Sequence, residues 1–283
     1  MLTAKMYREL RPGWRTGRPE NMDQSTWQVP AYKKVEFSPK RTKYCVCIPV
    51  INEGSKLTKQ LQRMSTMDLG VDIIIADGGS TDGSNDPELL KGLNIRTLLV
   101  KTGPGKLSAQ MRMFFAYALE QGYTGIVAVD GNGKDGVEAI PTFCHALDKG
   151  FDFVQGSRYV PGGVEENTPL DRKIGLKLLH APVVSIAAGF RYTDTTNGFR
   201  AFSRKFLLDP RVQPFRDVFD TYNLHYYLSI KAARLGYRVK EIPVRRSYPK
   251  SGPTPSKISG VSGKLKIIKL LFLSAVGHYD PKS

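Results

Sequence analysis

Five short segments, YCVCIPV, VDIIIAD, IRTLLV, GIVAVD and FDFVQG, follow one another between residues 44 and 156, and each is apolar at nearly every position. A strand with one wet face alternates apolar and polar side chains. Runs without alternation need cover on both faces, as in a parallel sheet. Helical patterns at residues 54–67, 107–121 and 137–149 separate them, which gives repeated βα units joined by right-handed crossovers. A second half follows, with helical stretches at 172–188 and 222–235, a turn-rich TDTTNGFRAFSR between them, a strand YRVKEIPV and a basic apolar tail at 263–276. The first forty-odd residues carry Trp14 and Trp27 but neither a helical nor a strand period. They read as an extended arm that drapes over its own domain or a partner. The expected organisation is an arm over 1–43, an α/β domain over 44–259, and a basic amphipathic helix and tail over 260–283.

A chain of 283 residues with 41% apolar side chains can bury one large core. Lys and Arg number 42 against 26 Asp and Glu, a formal charge of +16 that favours polyanions: nucleic acid, an anionic membrane face or a sugar diphosphate. The basic residues do not gather on one reading helix, so nucleic acid is not the expected partner. Cys45, Cys47 and Cys144 form no CxxC pair and have no histidine cluster, and read as reduced core thiols. No secretory leader and no apolar window of about eighteen residues is visible, so the expectation is a cytoplasmic protein, peripheral at most on the inner face of the membrane.

Ligands of an open parallel sheet bind beyond the carboxyl ends of its strands. Those ends are polar and Gly-flanked here: Pro49, Asn52 and Glu53 after the first run, Asp77 with GGSTDGS after the second, Asp130 with GNGKDG after the fourth, and GSRY after the fifth. One such loop is an ordinary turn; four in series point to one crevice. Glycines such as Gly79 let the backbone approach a ligand while Asp77 accepts bonds from a base or ribose. Ser80 and Asp82 suit either a ligand or a helix cap. KTGPGKLSAQMR echoes a phosphate loop, but Leu107 separates Lys106 from Ser108, so the spacing is wrong. As a helix start, Lys106 can still lean on a nucleotide.

The ordered segments IPVINEG, ADGGSTDGS, VDGNGKDG, GSRYVPGG and DTTNGFR resemble the signature segments of family 2 glycosyltransferases, and more narrowly the dolichyl-phosphate mannose synthase and polyprenyl-phosphate glycosyltransferase branch. The resemblance covers residues 44–259. It implies a GT-A (nucleotide-diphospho-sugar transferase) fold, with a mainly parallel central sheet flanked by helices, and transfer of a sugar from a nucleoside-diphosphate sugar. It places Pro49, Asn52, Glu53 and Asp77 at the nucleotide, and Asp130 and Asn132 where a divalent ion, Mg²⁺ or Mn²⁺, would sit on the diphosphate. Asn132 departs from the acidic pattern and brings no charge, while Lys134 stands where relatives often carry Gln and could stabilise the leaving group. Asp135 suits a second ligand or the cap of the next helix.

On the acceptor side, Arg158, Arg172, Lys173, Arg200, Arg245, Arg246, Lys250 and Lys257 recur through the second half. Arg158 and Arg200 match positions where the lipid-phosphate branch holds acceptor phosphate. A phosphate acceptor is already anionic and needs no strong base, and direct displacement inverts the anomeric carbon. A saccharide hydroxyl would need a carboxylate, with Asp194 or Asp220 as candidates. KLKIIKLLFLSAV suits a helix lying in the headgroup region of an anionic bilayer or one docked on the protein's own core.

Overall fold

The computed structural model describes residues 15–16, 26–249 and 260–281, so most of the expected arm, with Trp14, and the basic Lys250 and Lys257 lie outside the described residues. In chain order the strands are β1 (Arg15–Thr16), β2 (Tyr32–Glu36), β3 (Tyr44–Val50), β4 (Asp72–Asp77), β5 (Thr97–Lys101), β6 (Gly125–Ala128), β7 (Phe153–Ser157), β8 (Val164–Glu166), β9 (Arg200–Ser203), β10 (Val239–Pro243) and β11 (Arg245–Ser247). The helices are α1 (Ser55–Ser65), α2 (Pro87–Lys91), α3 (Leu107–Glu120), α4 (Ile140–Asp148), α5 (Leu170–Gly175), which continues through a π-turn at Leu176–His180 into α6 (Ala181–Ala188), then α7 (Arg204–Leu207), α8 (Asn223–Arg234) and α9 (Gly260–Ala275).

Nine strands form one sheet in the order β1-β2-β5-β4-β3-β6-β9-β7-β10, and β8 pairs with β11 apart from it. All five apolar runs are strands of this sheet. β5, β4, β3 and β6 run parallel, as do β7 and β10, whereas β2 and β9 run against their neighbours.

The unbroken apolar runs are explained by the two layers that cover the sheet. Cys45 and Cys47 of β3 face a layer containing Met113, Phe114 and Tyr117 of α3. Val46, Ile48 and Val50 face the other, with Leu57 and Leu61 of α1 and Phe143 of α4. Each fully buried side chain of this size contributes about 1.5–3 kcal/mol.

Of the strands that the sequence pattern does not show, β2 and β9 belong to the large sheet and shape it most. β2 is YKKVE, next to the two-residue edge strand β1, and it is held there because Tyr32 is buried and Tyr117 donates to Glu36 at 2.5 Å. β9 lies inside the turn-rich TDTTNGFRAFSR and is inserted antiparallel between β6 and β7. Its direction matters for the site. Because it runs backwards, its first residue, Arg200, stands opposite Ala128 and Gln155 near the carboxyl ends of β6 and β7, so the 194–199 turn reaches the same edge as Asp130.

The tail helix α9 packs on the core through Leu271, which is fully buried, with Ile267 and Leu270 beside it. Its other face leaves Leu265 and Phe272 exposed.

Candidate active site

At the carboxyl ends of β3, β4 and β6 lies a cavity of about 630 Å³, lined among others by Pro49, Asn52, Glu53, Gly78, Lys106, Asp130, Asn132, Lys134 and Arg246. Its charged lining is Lys56, Lys101, Lys106, Lys134, Arg172 and Arg246 against Glu53 and Asp130. Six cations over two carboxylates make it an anion site before any ligand enters.

Glutamines that no sequence motif marks shape this crevice. From α3, Gln110 donates to Val50 O and Ala76 O, both at 2.9 Å, which ties the tops of β3 and β4 together. From α1, Gln60 donates to Asp130 O at 3.0 Å and accepts from Gly133 N at 2.9 Å, so it holds the DGNGKDG loop at its start and its middle. Gly131 has no room for a side chain, since a Cβ there would meet Val50 Cγ1 at 2.5 Å.

Asn52 has a left-handed backbone (φ 49°); its N–H donates to Ser80 Oγ at 2.9 Å and its side-chain oxygen accepts from Thr81 N at 2.8 Å. The first two strand-end loops are thus bonded to each other. Asp77 lies fully buried below them, where its carboxylate accepts from Gly79 N at 2.8 Å and Ser80 N at 3.0 Å. Asp82 is exposed and accepts from Ser84 N at 3.0 Å. Of the residues that the sequence assigns to the nucleotide, Pro49, Asn52, Glu53, Lys106 and Asp130 line the cavity, while Asp77, Gly79, Ser80 and Asp82 build the loop beside it. The phosphate-loop-like segment is bonded elsewhere: Lys106 N donates to Asp220 O at 2.6 Å and Ser108 N to Thr221 O at 2.7 Å.

Asp130 meets an unexpected partner. Arg246, on β11, reaches Asp130 Oδ2 at 3.1 Å with one guanidinium nitrogen and the fully buried Asp135 at 2.6 and 2.7 Å with the other. Burial works to raise the Asp130 carboxyl, but the Arg246 charge and hydrogen bond outweigh it and hold it below the ordinary carboxylate range. Burial, together with the neighbouring Arg246 charge, lowers the Lys134 ammonium.

A second cavity of about 410 Å³ adjoins the first and shares Leu107, Asp130, Arg172, Tyr222 and Arg246 with it. Leu176, Leu179, Ile267 and Ile268 supply an apolar side, and Arg158, Asn197 and Arg200 a polar one. Arg158 is gripped by Asp194 through Nε at 2.7 Å and Nη2 at 3.0 Å, and Nη2 also reaches Thr196 at 3.1 Å. Burial opposes the Arg158 charge, yet the Asp194 pair prevails and lifts its pKa above the usual value. Its Nη1 is buried and without a partner, as is Asn197 Nδ2. Buried donors left unpaired cost about 1–3 kcal/mol each, which marks this wall as a place where an acceptor atom belongs.

Arg200 is committed differently. It is 1% exposed and donates to the carbonyls of Asn197, His225 and Thr195 at 3.1, 2.7 and 2.9 Å. Its work is to hold the 194–198 turn, and burial lowers it to about 10. Asp194 is wholly buried against Arg158 and lines neither cavity, and Asp220 lines neither as well.

The oxygens around Asp130 are the ones that a divalent ion would use. Asp130 Oδ2 already accepts from Arg246 and, at 3.2 Å, from Asn132 Nδ2, and Oδ1 lies where a Cβ on Gly198 would meet it at 2.7 Å. The Asn132 oxygen accepts from Lys134 N at 3.2 Å. An ion on a diphosphate needs one or two protein oxygens turned toward it, with phosphates and waters supplying the rest, and both Asp130 Oδ2 and the Asn132 oxygen are already engaged by protein donors. As arranged, the residues do not fit the ion.

The fold is that of the GT-A glycosyltransferases. No family model matches the chain. Among characterised proteins it is similar to polyprenol monophosphomannose synthase of Mycolicibacterium smegmatis, at 28% identity over 83% of this chain and 88% of that protein. It is also similar to undecaprenyl-phosphate mannosyltransferase of Micrococcus luteus, at 29% identity over 75% and 86% of the two chains. These relatives bear out the motif resemblance. In fold it matches glucosyl-3-phosphoglycerate synthase of Mycobacterium tuberculosis: the complex with uridine diphosphate gives a TM-score of 0.59 at 20% identity, over 86% of this chain and 82% of that one. The complex with Mn²⁺, uridine diphosphate and glucosyl-3-phosphoglycerate gives 0.57 at 17%, with the same coverage.

Proposed function

We propose that the chain transfers a sugar, with inversion, from a nucleoside-diphosphate sugar in the larger cavity to a polyprenyl phosphate in the smaller one. The observation that carries this reading is Arg158, with a buried and unpartnered Nη1, in the lining of a cavity that Leu176, Leu179, Ile267 and Ile268 also line. A phosphate joined to a hydrocarbon chain satisfies both at once. The phosphate oxygen attacks the anomeric carbon, the bond to the diphosphate breaks, and the nucleoside diphosphate departs with that electron pair. No proton has to be removed. That matters, because the carboxylates lining the smaller cavity, Asp130 and Asp171, are ion-paired with Arg246 and Lys264. Transfer to a saccharide hydroxyl would find no unpaired carboxylate there to act as base.

The named activities of the relatives support this reading and make mannose the first sugar to test. In proteins of like fold Mn²⁺ or Mg²⁺ accompanies uridine diphosphate. For such an ion to use Asp130 and Asn132 here, Arg246 would first have to release Asp130. A lipid acceptor also places the enzyme at a membrane surface. Leu170, Ile174 and Leu178 stand exposed on α5 and the π-turn, and the Lys264–Asp171 ion pair at 2.8 Å sets them beside exposed Leu265 of α9 with Lys266 and Lys269. Exposed leucines flanked by lysines suit an anionic headgroup layer. Among the described residues no helix is long and apolar enough to cross a membrane.

The test is to incubate the protein with labelled GDP-mannose, UDP-glucose and other sugar nucleotides, each with undecaprenyl phosphate, dolichyl phosphate or a saccharide. Label should pass into a lipid extract with at least one donor. Label that reaches saccharide and never lipid would overturn the acceptor assignment.

A further inference from the structure

We propose that Arg246, clamped between Asp130 and Asp135, is the resident cation of the donor site and takes the place of a divalent ion against the nucleoside diphosphate; this rests on the donor reading above. Three observations carry it. The guanidinium is built in, because its strand is bonded to the DGNGKDG loop on both sides: Gly136 N donates to Arg245 O and Ser247 N to Lys134 O, each at 2.9 Å. Its side chain is 7% exposed, yet it lines both cavities at the point where they meet. It also holds the carboxylate that a divalent ion would need, at 3.1 Å, while Asn132 turns its amide nitrogen toward the same oxygen.

A donor diphosphate drawn toward Arg246 also meets Lys134, whose Nζ lies 5.1 Å from the centre of the Tyr248 ring, with the Arg246 guanidinium 5.8 Å from that ring. Fixed cations at a leaving diphosphate do the electrostatic work of a metal without coordination. The asymmetry of the Arg246 pairs is informative. Asp135 is buried and anchors the guanidinium, whereas Asp130 is 27% exposed and can yield its place to phosphate oxygens.

The experiment has two arms on the full chain. In the first, Mn²⁺ alone is titrated calorimetrically into the wild type; no saturable binding is expected. Saturable binding that Asp130→Asn removes would overturn the proposal. In the second, UDP and GDP are titrated in EDTA and in Mn²⁺; affinity for the accepted nucleotide should be equal in both, and affinity that EDTA abolishes would overturn it. Arg246→Met alone leaves the buried Asp135 unpaired and endangers folding, so Arg246→Met with Asp135→Asn is the variant to use. It should bind nucleotide at least about tenfold more weakly in EDTA, and affinity unchanged in EDTA would count against the assignment. The manganese arm needs no nucleotide, so it decides the cation question even if neither nucleotide binds, a result that would instead refute the donor reading.

Discussion

Glu120, the last residue of α3, keeps Oε1 buried without a hydrogen-bond partner, and burial, opposed in part by Lys34, pushes its carboxyl up to about 8. The folded state therefore holds a proton that the unfolded chain releases near its ordinary value. This favours folding below that value and is lost as pH rises through about 8. Glu120→Gln should match the wild type near pH 4 and outlast it near pH 9. Discounted for partial exposure, the gain is about 1 kcal/mol, or about 2 °C, readable by thermal denaturation at the two pH values. Equal melting points at both would refute the shift. At this scale Asp130 was legible because its loop is one of four polar, Gly-flanked strand ends in series and lies in a segment of the family resemblance. Arg246 was visible only as one of many basic residues, since nothing in RRSYP says that its strand runs beside a loop over a hundred residues earlier. Gln60 and Gln110 gave no signal at all, because a buried glutamine on a helix looks like any polar position until its carbonyl partners are known.

The helices over the smaller cavity present separate faces to the core and to solvent. Leu178 is 76% exposed and Phe272 46%, while Leu271 beside it is fully buried. Changing Leu178 and Phe272 to Glu should weaken co-sedimentation with anionic vesicles several-fold and lower the melting point little, because neither side chain is core. Unchanged vesicle binding would remove these helices from the membrane contact. The same face explains why the tail pattern admitted two readings: α9 docks through Leu271 and Ile267 and still keeps an apolar surface outward. The buried strands and long helices were readable from periodicity. β9 was not, because four residues directly after a turn of Thr, Asn and Gly are too short to show a period, and β2 was not, because a strand flanked outward only by two residues of β1 tolerates three charged residues in five.

For the molecule as a whole, the charge of +16 should act at long range on any anionic surface. Raising salt from about 0.05 M to about 0.5 M shortens the screening length severalfold, so vesicle binding should fall steeply. The thermal shift given by the accepted sugar nucleotide should persist, because its contacts lie inside a cavity. Salt that abolished the shift but spared vesicle binding would reverse that assignment.

The placement of β9 also governs the order in which the protein can be assembled. β6 and β7 are made before it, yet neither touches the other in the register of the sheet; Ala201 stands between Val127 and Val154. Until residues 200–203 leave the ribosome, both strands have open edges, and the two halves of the sheet cannot be stitched together. Asp130 and Arg158 are brought to line one cavity by that closing step, so the candidate site is among the last features of the nascent chain to take shape.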